Sequence, residues 1–240
     1  LLTFLNMDGH AEGKEGKPIL RNELLNHGNT SPALINALLK KGILEQYEQE
    51  IGRLSQESLP TVPLHPLNTH QEKALEEIRS QWKGKSICLL HGVTSSGKTE
   101  IYVHLIEEAL ARGEQILYLV PEIALTTQIT ERLKRIFGSR LGIYHSKFSD
   151  EIRVEIWQKQ LSDQPYEIIL GARSSLFLPF RKLGLVIVDE EHENSYKQFD
   201  PAPRYHARNA ALVLASFFQA HVLLGSATPS IESYHLAQQG

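Results

Sequence analysis

The chain has 240 residues, 41% hydrophobic and 22% charged, with a formal net charge of −3; that length suits one large domain or two smaller ones. No apolar stretch approaches the ~20 residues that span a bilayer, so no membrane is expected as a partner, and the slight acidity leaves any nucleic-acid contact to local basic patches. The single cysteine, Cys88, excludes an internal disulfide or a multi-cysteine zinc site and fits a reducing, cytoplasmic setting.

The chain starts at Leu1 without a basic-then-apolar leader, and we expect a piece cut from a longer protein. Residues 1–58 read as a small domain. The segment from Gly9 to Lys17 is polar and glycine-rich and is expected to be a mobile loop. Leu20, Leu24 and Leu25 suggest a short helix. Ser31 is a suitable N-cap and Pro32 a suitable first helical residue for the next helix. Its apolar face is Leu34, Ile35, Leu38 and Leu39, and Lys40, Lys41 and Gly42 close it. Ile43 to Tyr47 reads as a strand. Helix, turn, helix and β segment resemble a winged helix. Asn36, Lys40 and Lys41 are thin equipment for reading bases, so DNA contact and protein docking both stand open. Three prolines within 59–67 predict a linker.

From residue 68 to 240, strands are expected over 86–91, 115–120, 141–145, 167–171, 184–189 and 221–225. Helices are expected to begin near 70, 98, 123, 150, 204 and 230. The strands are nearly continuous apolar runs, the pattern of a parallel sheet covered on both faces. We expect a RecA-like P-loop domain, a three-layer α/β fold with a mostly parallel sheet, preceded by the winged-helix-like domain.

The run Gly92 to Thr99 fits G-x-x-x-x-G-K-[ST] between an apolar strand and a helix that Gly113 stops. Such a loop turns backbone N–H groups of Gly92, Thr94, Ser95, Ser96 and Gly97 toward phosphate oxygens. Lys98 would reach the β- and γ-phosphates of ATP, and the Thr99 hydroxyl would ligate Mg²⁺. Asp189, Glu190, Glu191 and His192 end the strand Val186–Val188. Acids beyond a parallel strand's carboxyl end face the phosphate loop. Asp189 would hold Mg²⁺ with Thr99, and Glu190 would orient or deprotonate water. The bland alternative is a solvated acidic turn.

Asp-Glu-x-His after a phosphate loop, followed by Ser226-Ala227-Thr228, resembles the superfamily 2 helicases. In that likeness Lys98, Asp189, Glu190 and His192 are the catalytic set, and Ser226 and Thr228 couple nucleotide state to nucleic acid. Four further stretches are similar to the bacterial primosomal replication-restart helicases: Leu119–Thr126, Gly171–Phe177, Asp189–Gln198 and Arg204–Arg208. Ser95 departs from that family, which has Gly there. The resemblance implies a 3′-to-5′ ATP-dependent DNA helicase of replication restart, using ATP and Mg²⁺. Its partners would be forked and single-stranded DNA, other primosome proteins and single-stranded-DNA-binding protein.

The same resemblance makes Gln71 an adenine reader, with a surface glutamine at a helix start as the alternative. It assigns DNA-backbone contact to Arg173, Ser174 and Ser175, and to Pro121, Glu122, Thr126 and Gln128, where helix capping is the alternative. His145 and Ser146 match a family segment without an assigned role. The loop from Glu193 to His206, with Tyr196, Lys197, Phe199 and Tyr205, would sense single-stranded DNA by base stacking; alternatively its aromatics fold it onto the sheet. The transition-state arginine is implied for a second lobe beyond residue 240, and zinc-binding cysteines for the missing C-terminal part. The piece alone is therefore expected to bind nucleotide, hydrolyse it poorly and not unwind DNA. A fork-binding and protein-docking platform with nucleotide as a regulatory ligand is the alternative. A restriction-type translocase leaves Arg204–Arg208 and the aromatic loop unaccounted for.

Overall fold

The computed structural model describes residues 2–4, 18–19, 32–41, 43–46, 62–94, 96–122, 124–125 and 127–239. The chain divides into two compact units, Leu1–Arg53 and Leu54–Gly240. In the first, β1 (Leu2–Phe4) pairs antiparallel with β2 (Pro18–Ile19) and with β3 (Leu44–Gln46). Helix α1 spans Pro32–Lys40 and buries Ile35. Pro32 supplies a preset φ at the first helical position, and Lys40 sits favourably at the negative end. The helix read at Leu20–Leu25, the Ser31 cap and the loop Gly9–Lys17 lie outside the described residues.

The second unit is built on six parallel strands in the order β4-β9-β8-β5-β7-β6. They are β4 (Ile87–His91), β5 (Gln115–Leu119), β6 (Leu141–Tyr144), β7 (Ile168–Gly171), β8 (Leu183–Asp189) and β9 (His221–Ser226). Alternate residues serve opposite faces. Ile116 and Tyr118 of β5 join a core with α2 (Thr69–Gln81), α3 (Lys98–Ala111) and α4 (Thr127–Phe137). Leu117 and Leu119 join the other, with α5 (Asp150–Leu161) and α6 (Ala207–Phe218). The last helix, α7, is Ile231–Gln239. Among the described residues no helix is long and apolar enough to cross a membrane.

Two helices start later than the sequence predicts. The one expected near 123 begins at Thr127, because the Ala124 and Leu125 N–H groups turn back to the Pro121 carbonyl at 2.9 and 3.1 Å. The one expected near 204 begins at Ala207, because Lys197 and His206 pair antiparallel and hold the preceding residues in a hairpin. The proline-rich segment is fastened at its end. Val62 N–H donates to the Arg135 carbonyl at 2.9 Å, and Leu64 and Leu67 pack on the core.

Ala207, Ala211 and Ala215 form the buried stripe of α6. Small side chains at helical spacing let α6 lie close on the sheet. Ala211→Leu inserts methylenes into that contact and is expected to cost about 1–3 kcal/mol, read as a lower urea midpoint.

Candidate functional site

Register places three strand ends side by side. His91 of β4 is level with Ser226 of β9, and Gly225 is level with Asp189 of β8. The chain leaving β4 is tied at once to that neighbour, for Gly92 N–H donates to the Ser226 carbonyl at 3.1 Å. The loop then closes on itself through Ser96 N–H and the Val93 carbonyl at 3.1 Å. Gly97 enters α3 at φ 80°, ψ 28°, and no side chain caps the helix there. A left-handed backbone favours glycine, and a Cβ on Gly97 would come 2.2 Å from Gln71 Nε2. The amino end of α3 therefore turns bare N–H groups and partial positive charge toward the loop.

Lys98 follows, 8% exposed. Its ammonium donates to the Gly92 carbonyl at 3.0 Å and lies 3.7 Å from Glu190 Oε1. A Cβ on Gly92 would meet Ser96 Oγ at 3.0 Å, so side chains at either glycine would fill the cradle. A glycine-lined turn, an uncapped helix end and a buried ammonium fit an anion such as phosphate. Thr94 and Ser96 are exposed and Thr99 is half-buried; Ser95 lies outside the described residues. Gln71 is beside this loop but engaged. It forms a capping box with Asn68, its Oε1 accepting from Asn68 N–H at 2.9 Å, while Nε2 donates to the Gly97 carbonyl at 3.3 Å.

Opposite stands Asp189. Its Oδ1 accepts from the Tyr102 hydroxyl at 3.0 Å and from Glu190 N–H at 3.1 Å, and Oδ2 from the Tyr118 hydroxyl at 3.4 Å. Burial pushes the Asp189 carboxyl above its usual range, against the Tyr102 hydrogen bond, which favours the charged form. Burial, and then the Asp189 charge, push the phenols of Tyr102, Tyr118 and Tyr196 well up, so they stay protonated donors. Glu190 sits at φ 46°, a left-handed conformation that costs a non-glycine residue about 1–2 kcal/mol. The Thr99 hydroxyl and the Asp189 carboxylate are hard oxygen donors, the type that suits Mg²⁺.

His192 links this strand end to the next. Nδ1 is 2.7 Å from Ser226 Oγ and Nε2 is 3.2 Å from Thr228 Oγ1. Ser226 Oγ also accepts from Thr228 N–H at 3.0 Å. Glu191 turns the other way and is fully buried. It takes Arg208 Nη1 at 2.6 Å, Ser230 N–H at 2.7 Å and the Ser233 hydroxyl at 2.8 Å. The sequence groups Glu191 with the acids that face the phosphate loop; it faces Arg208, Ser230 and Ser233 instead, because the turn at Glu190 sends it to the other side. Glu191 lies within Asp189–Gln198 and Arg208 ends Arg204–Arg208, but nothing in either stretch marks the two as partners.

The aromatic loop requires a correction. Tyr196 is 1% exposed, and its hydroxyl donates to the Asp189 carbonyl at 2.6 Å and the Leu119 carbonyl at 3.1 Å. It is enclosed and cannot stack on a base. Phe199 is 69% exposed. Lys197 Nζ is held by the Arg204 carbonyl at 3.0 Å. Tyr205 is half-buried, meeting the 56%-exposed Phe177 edge-on at 5.2 Å. Arg173 points inward, its Nη1 donating to the Ser195 and Lys197 carbonyls at 3.2 and 3.4 Å. Ser174 Oγ is buried, and Ser175 Oγ donates to the Ala172 carbonyl at 2.6 Å. These two hydroxyls therefore do not face a surface strand. Pro121 is buried and Gln128 exposed. Glu122 accepts from the Ser146 hydroxyl at 3.3 Å, and His145 packs on Phe148 at 3.8 Å. Thr126 lies outside the described residues. Among the described residues no cluster of three His, Cys, Asp or Glu side chains could hold a metal.

Residues 68–236 match the family DEAD/DEAH box helicase, and residues 1–51 the winged helix domain, PriA helicase, Bacteroidota. Replication restart protein PriA of Bacillus subtilis (strain 168) is 44% identical over 231 residues, covering 94% of this chain and 28% of that protein. The Helicobacter pylori (strain ATCC 700392 / 26695) protein of the same name is 47% identical over 171 residues, covering 71% of this chain and 27% of that one. The chain thus spans under a third of the length of these curated relatives. The Pyrococcus furiosus Hef helicase domain shares the fold, with TM-score 0.51 and 18% identity over 72% of this chain and 35% of that one.

Burial alone would raise the Glu191 carboxyl, but the Ser230 N–H, the Arg208 guanidinium and the Ser233 hydroxyl outweigh it and hold it below the usual carboxylate range. A depressed folded-state value stabilises the protein above the unfolded value and is lost as pH falls through the folded one. Urea midpoints are expected to drop as pH is lowered below about 4.5, and less steeply in Glu191→Gln. Glu191→Ala strands the Arg208 charge and is expected to cost about 3–5 kcal/mol at neutral pH.

Proposed function

The chain belongs to the DEAD/DEAH box helicase family, and from that premise we propose that it is the ATP-binding lobe of an ATP-dependent 3′-to-5′ DNA helicase of replication restart. The observation that carries this is the buried Lys98 ammonium between the Gly92 carbonyl and Glu190 at the uncapped start of α3. An ammonium held so loosely, with one carbonyl and one carboxylate 3.7 Å away, is ready to exchange them for phosphate oxygens.

On this reading the loop Gly92–Gly97 cradles the phosphates of ATP, with Lys98 on the terminal ones. Mg²⁺, held by the Thr99 hydroxyl and the Asp189 carboxylate, would neutralise charge on those phosphates. Glu190, released from Lys98, takes the proton of the attacking water or orients it. Gln71 reads adenine by giving up part of its capping box. His192 reports the state of this site to Ser226 and Thr228. Arg173 and Lys197 act by bracing the loop, and Phe199, Phe177 and the edge of Tyr205 offer rings to single-stranded DNA. The transition-state arginine comes from a second lobe outside residues 1–240, and the zinc ligands from a further C-terminal part. The domains are a winged-helix-like unit over 1–58 and a helicase lobe from 68, joined by 59–67. The partners are forked and single-stranded DNA, primosome proteins and single-stranded-DNA-binding protein, in the cytoplasm.

Hydrolysis by a chain extended through the second lobe tests the reading, with and without forked DNA. Strong stimulation is expected, abolished by Lys98→Ala. Fork binding without stimulation would instead favour a docking platform with nucleotide as regulator. The 240-residue chain alone is expected to bind ATP but not to unwind a duplex. Phe199→Ala is expected to weaken single-strand binding on the order of tenfold, measured by anisotropy of a labelled oligonucleotide.

A further inference from the structure

Both oxygens of the Asp189 carboxylate meet tyrosine hydroxyls. Tyr102 of α3 donates to Oδ1 at 3.0 Å, and Tyr118 of β5 to Oδ2 at 3.4 Å. The Tyr102 ring has no exposed surface and packs edge-on against Tyr118 with centroids 5.7 Å apart. For that packing a phenylalanine would serve equally; a hydroxyl in such a place has to find a partner. The fold makes special room for it. A Cβ at Gly225 would stand 1.7 Å from the Tyr102 oxygen and 3.5 Å from Asp189 Oδ1. The missing side chain at Gly225 is thus the passage through which α3 reaches the acid. Tyr102 also lies one helical turn beyond Lys98 and Thr99, so a single rigid helix carries all three.

We propose that Tyr102 is a positioning residue that fixes how Asp189 presents its carboxylate to the divalent cation accompanying a nucleotide. A carboxylate on a strand end can rotate about its last side-chain bond. Donors from Tyr102 and from Glu190 N–H on one oxygen, and from Tyr118 on the other, hold its plane. Partners behind a metal-binding carboxylate orient it, and removing one typically costs 10–100-fold in metal affinity. The Tyr102 bond is the shorter of the two phenol contacts and carries more of this than Tyr118. The inference rests on the nucleotide reading above and adds the residue that sets its cation dependence.

Calorimetric binding of ADP to the 240-residue chain, in Mg²⁺ and in EDTA, tests it. Wild type is expected to bind more tightly with Mg²⁺. Tyr102→Phe is expected to cut that gain by about tenfold or more and to leave the affinity in EDTA unchanged. Tyr118→Phe loses less. Gly225→Ala, which keeps the phenol but closes its passage, reproduces the Tyr102→Phe loss. An unaltered Mg²⁺ gain in Tyr102→Phe overturns the proposal. So does an equal fall in both media, which marks the tyrosine as packing. Wild type binding ADP equally in both media overturns the positioning role alone. No binding of ADP by folded wild type in either medium removes the nucleotide reading and this one with it.

Discussion

The register of β4, β9 and β8 is the constraint on which the candidate site depends. Parallel pairing with His91 opposite Ser226, and Gly225 opposite Asp189, ends three strands on one line. From that line the phosphate-type loop, the Ser226 turn and the acids all depart in the same direction. A parallel sheet forces its connections over the faces, so helices α2 to α6 cover it and leave the strand ends open. A slip of one residue in β9 would turn Ser226 away from His192 and move the carbonyl that anchors Gly92. Val222 and Leu224 of β9 belong to one core and Leu223 to the other, which makes such a slip expensive. Both faces would exchange their buried side chains for those of the opposite core.

Within this frame the charged groups sort by partner rather than by sequence neighbourhood. Four successive residues, Asp189 to His192, have four different surroundings. Asp189 is held by phenols, Glu190 faces Lys98, Glu191 is locked to Arg208 and His192 bridges two hydroxyls. The turn that separates them needs the left-handed backbone at Glu190. Without that turn, alternate side chains would fall on the two faces of an extended strand. Glu191 also fastens the start of α7 through Ser230 and Ser233, so the segment after the Ser226 turn is anchored independently of His192.

Much of this was legible in the sequence. The apolar runs at 115–120 and 184–189 could be buried on both faces only in a parallel sheet, and they are. The glycine spacing of the loop at 92–97 states its own backbone need, visible as the positive φ of Gly97. The starts of α4 and α6 were misread, since hydrophobic spacing does not reveal a turn hydrogen bond or an isolated bridge. Tyr196 was misread for a different reason. An aromatic in a polar loop looks available for stacking, and nothing local tells that its hydroxyl caps the carbonyls of two strands. The hydroxyls of Ser174 and Ser175 are likewise turned inward, that of Ser175 onto the Ala172 carbonyl of its own turn and that of Ser174 into a buried place with no hydrogen-bond partner, and neither is marked by the local sequence. The pairing of Glu191 with Arg208 escaped because ion pairing across the fold has no signature in spacing.

The passage at Gly225 ties two distant positions in the history of the protein. While Tyr102 is present, any side chain at 225 collides with its oxygen. While glycine is present, a smaller residue at 102 leaves a hole beside a buried acid. Neither position can drift alone without loss of fit, and the route between alternative pairs passes through a disfavoured intermediate. Lineages that keep this architecture are therefore expected to hold or exchange the two residues together, as one inherited unit rather than two.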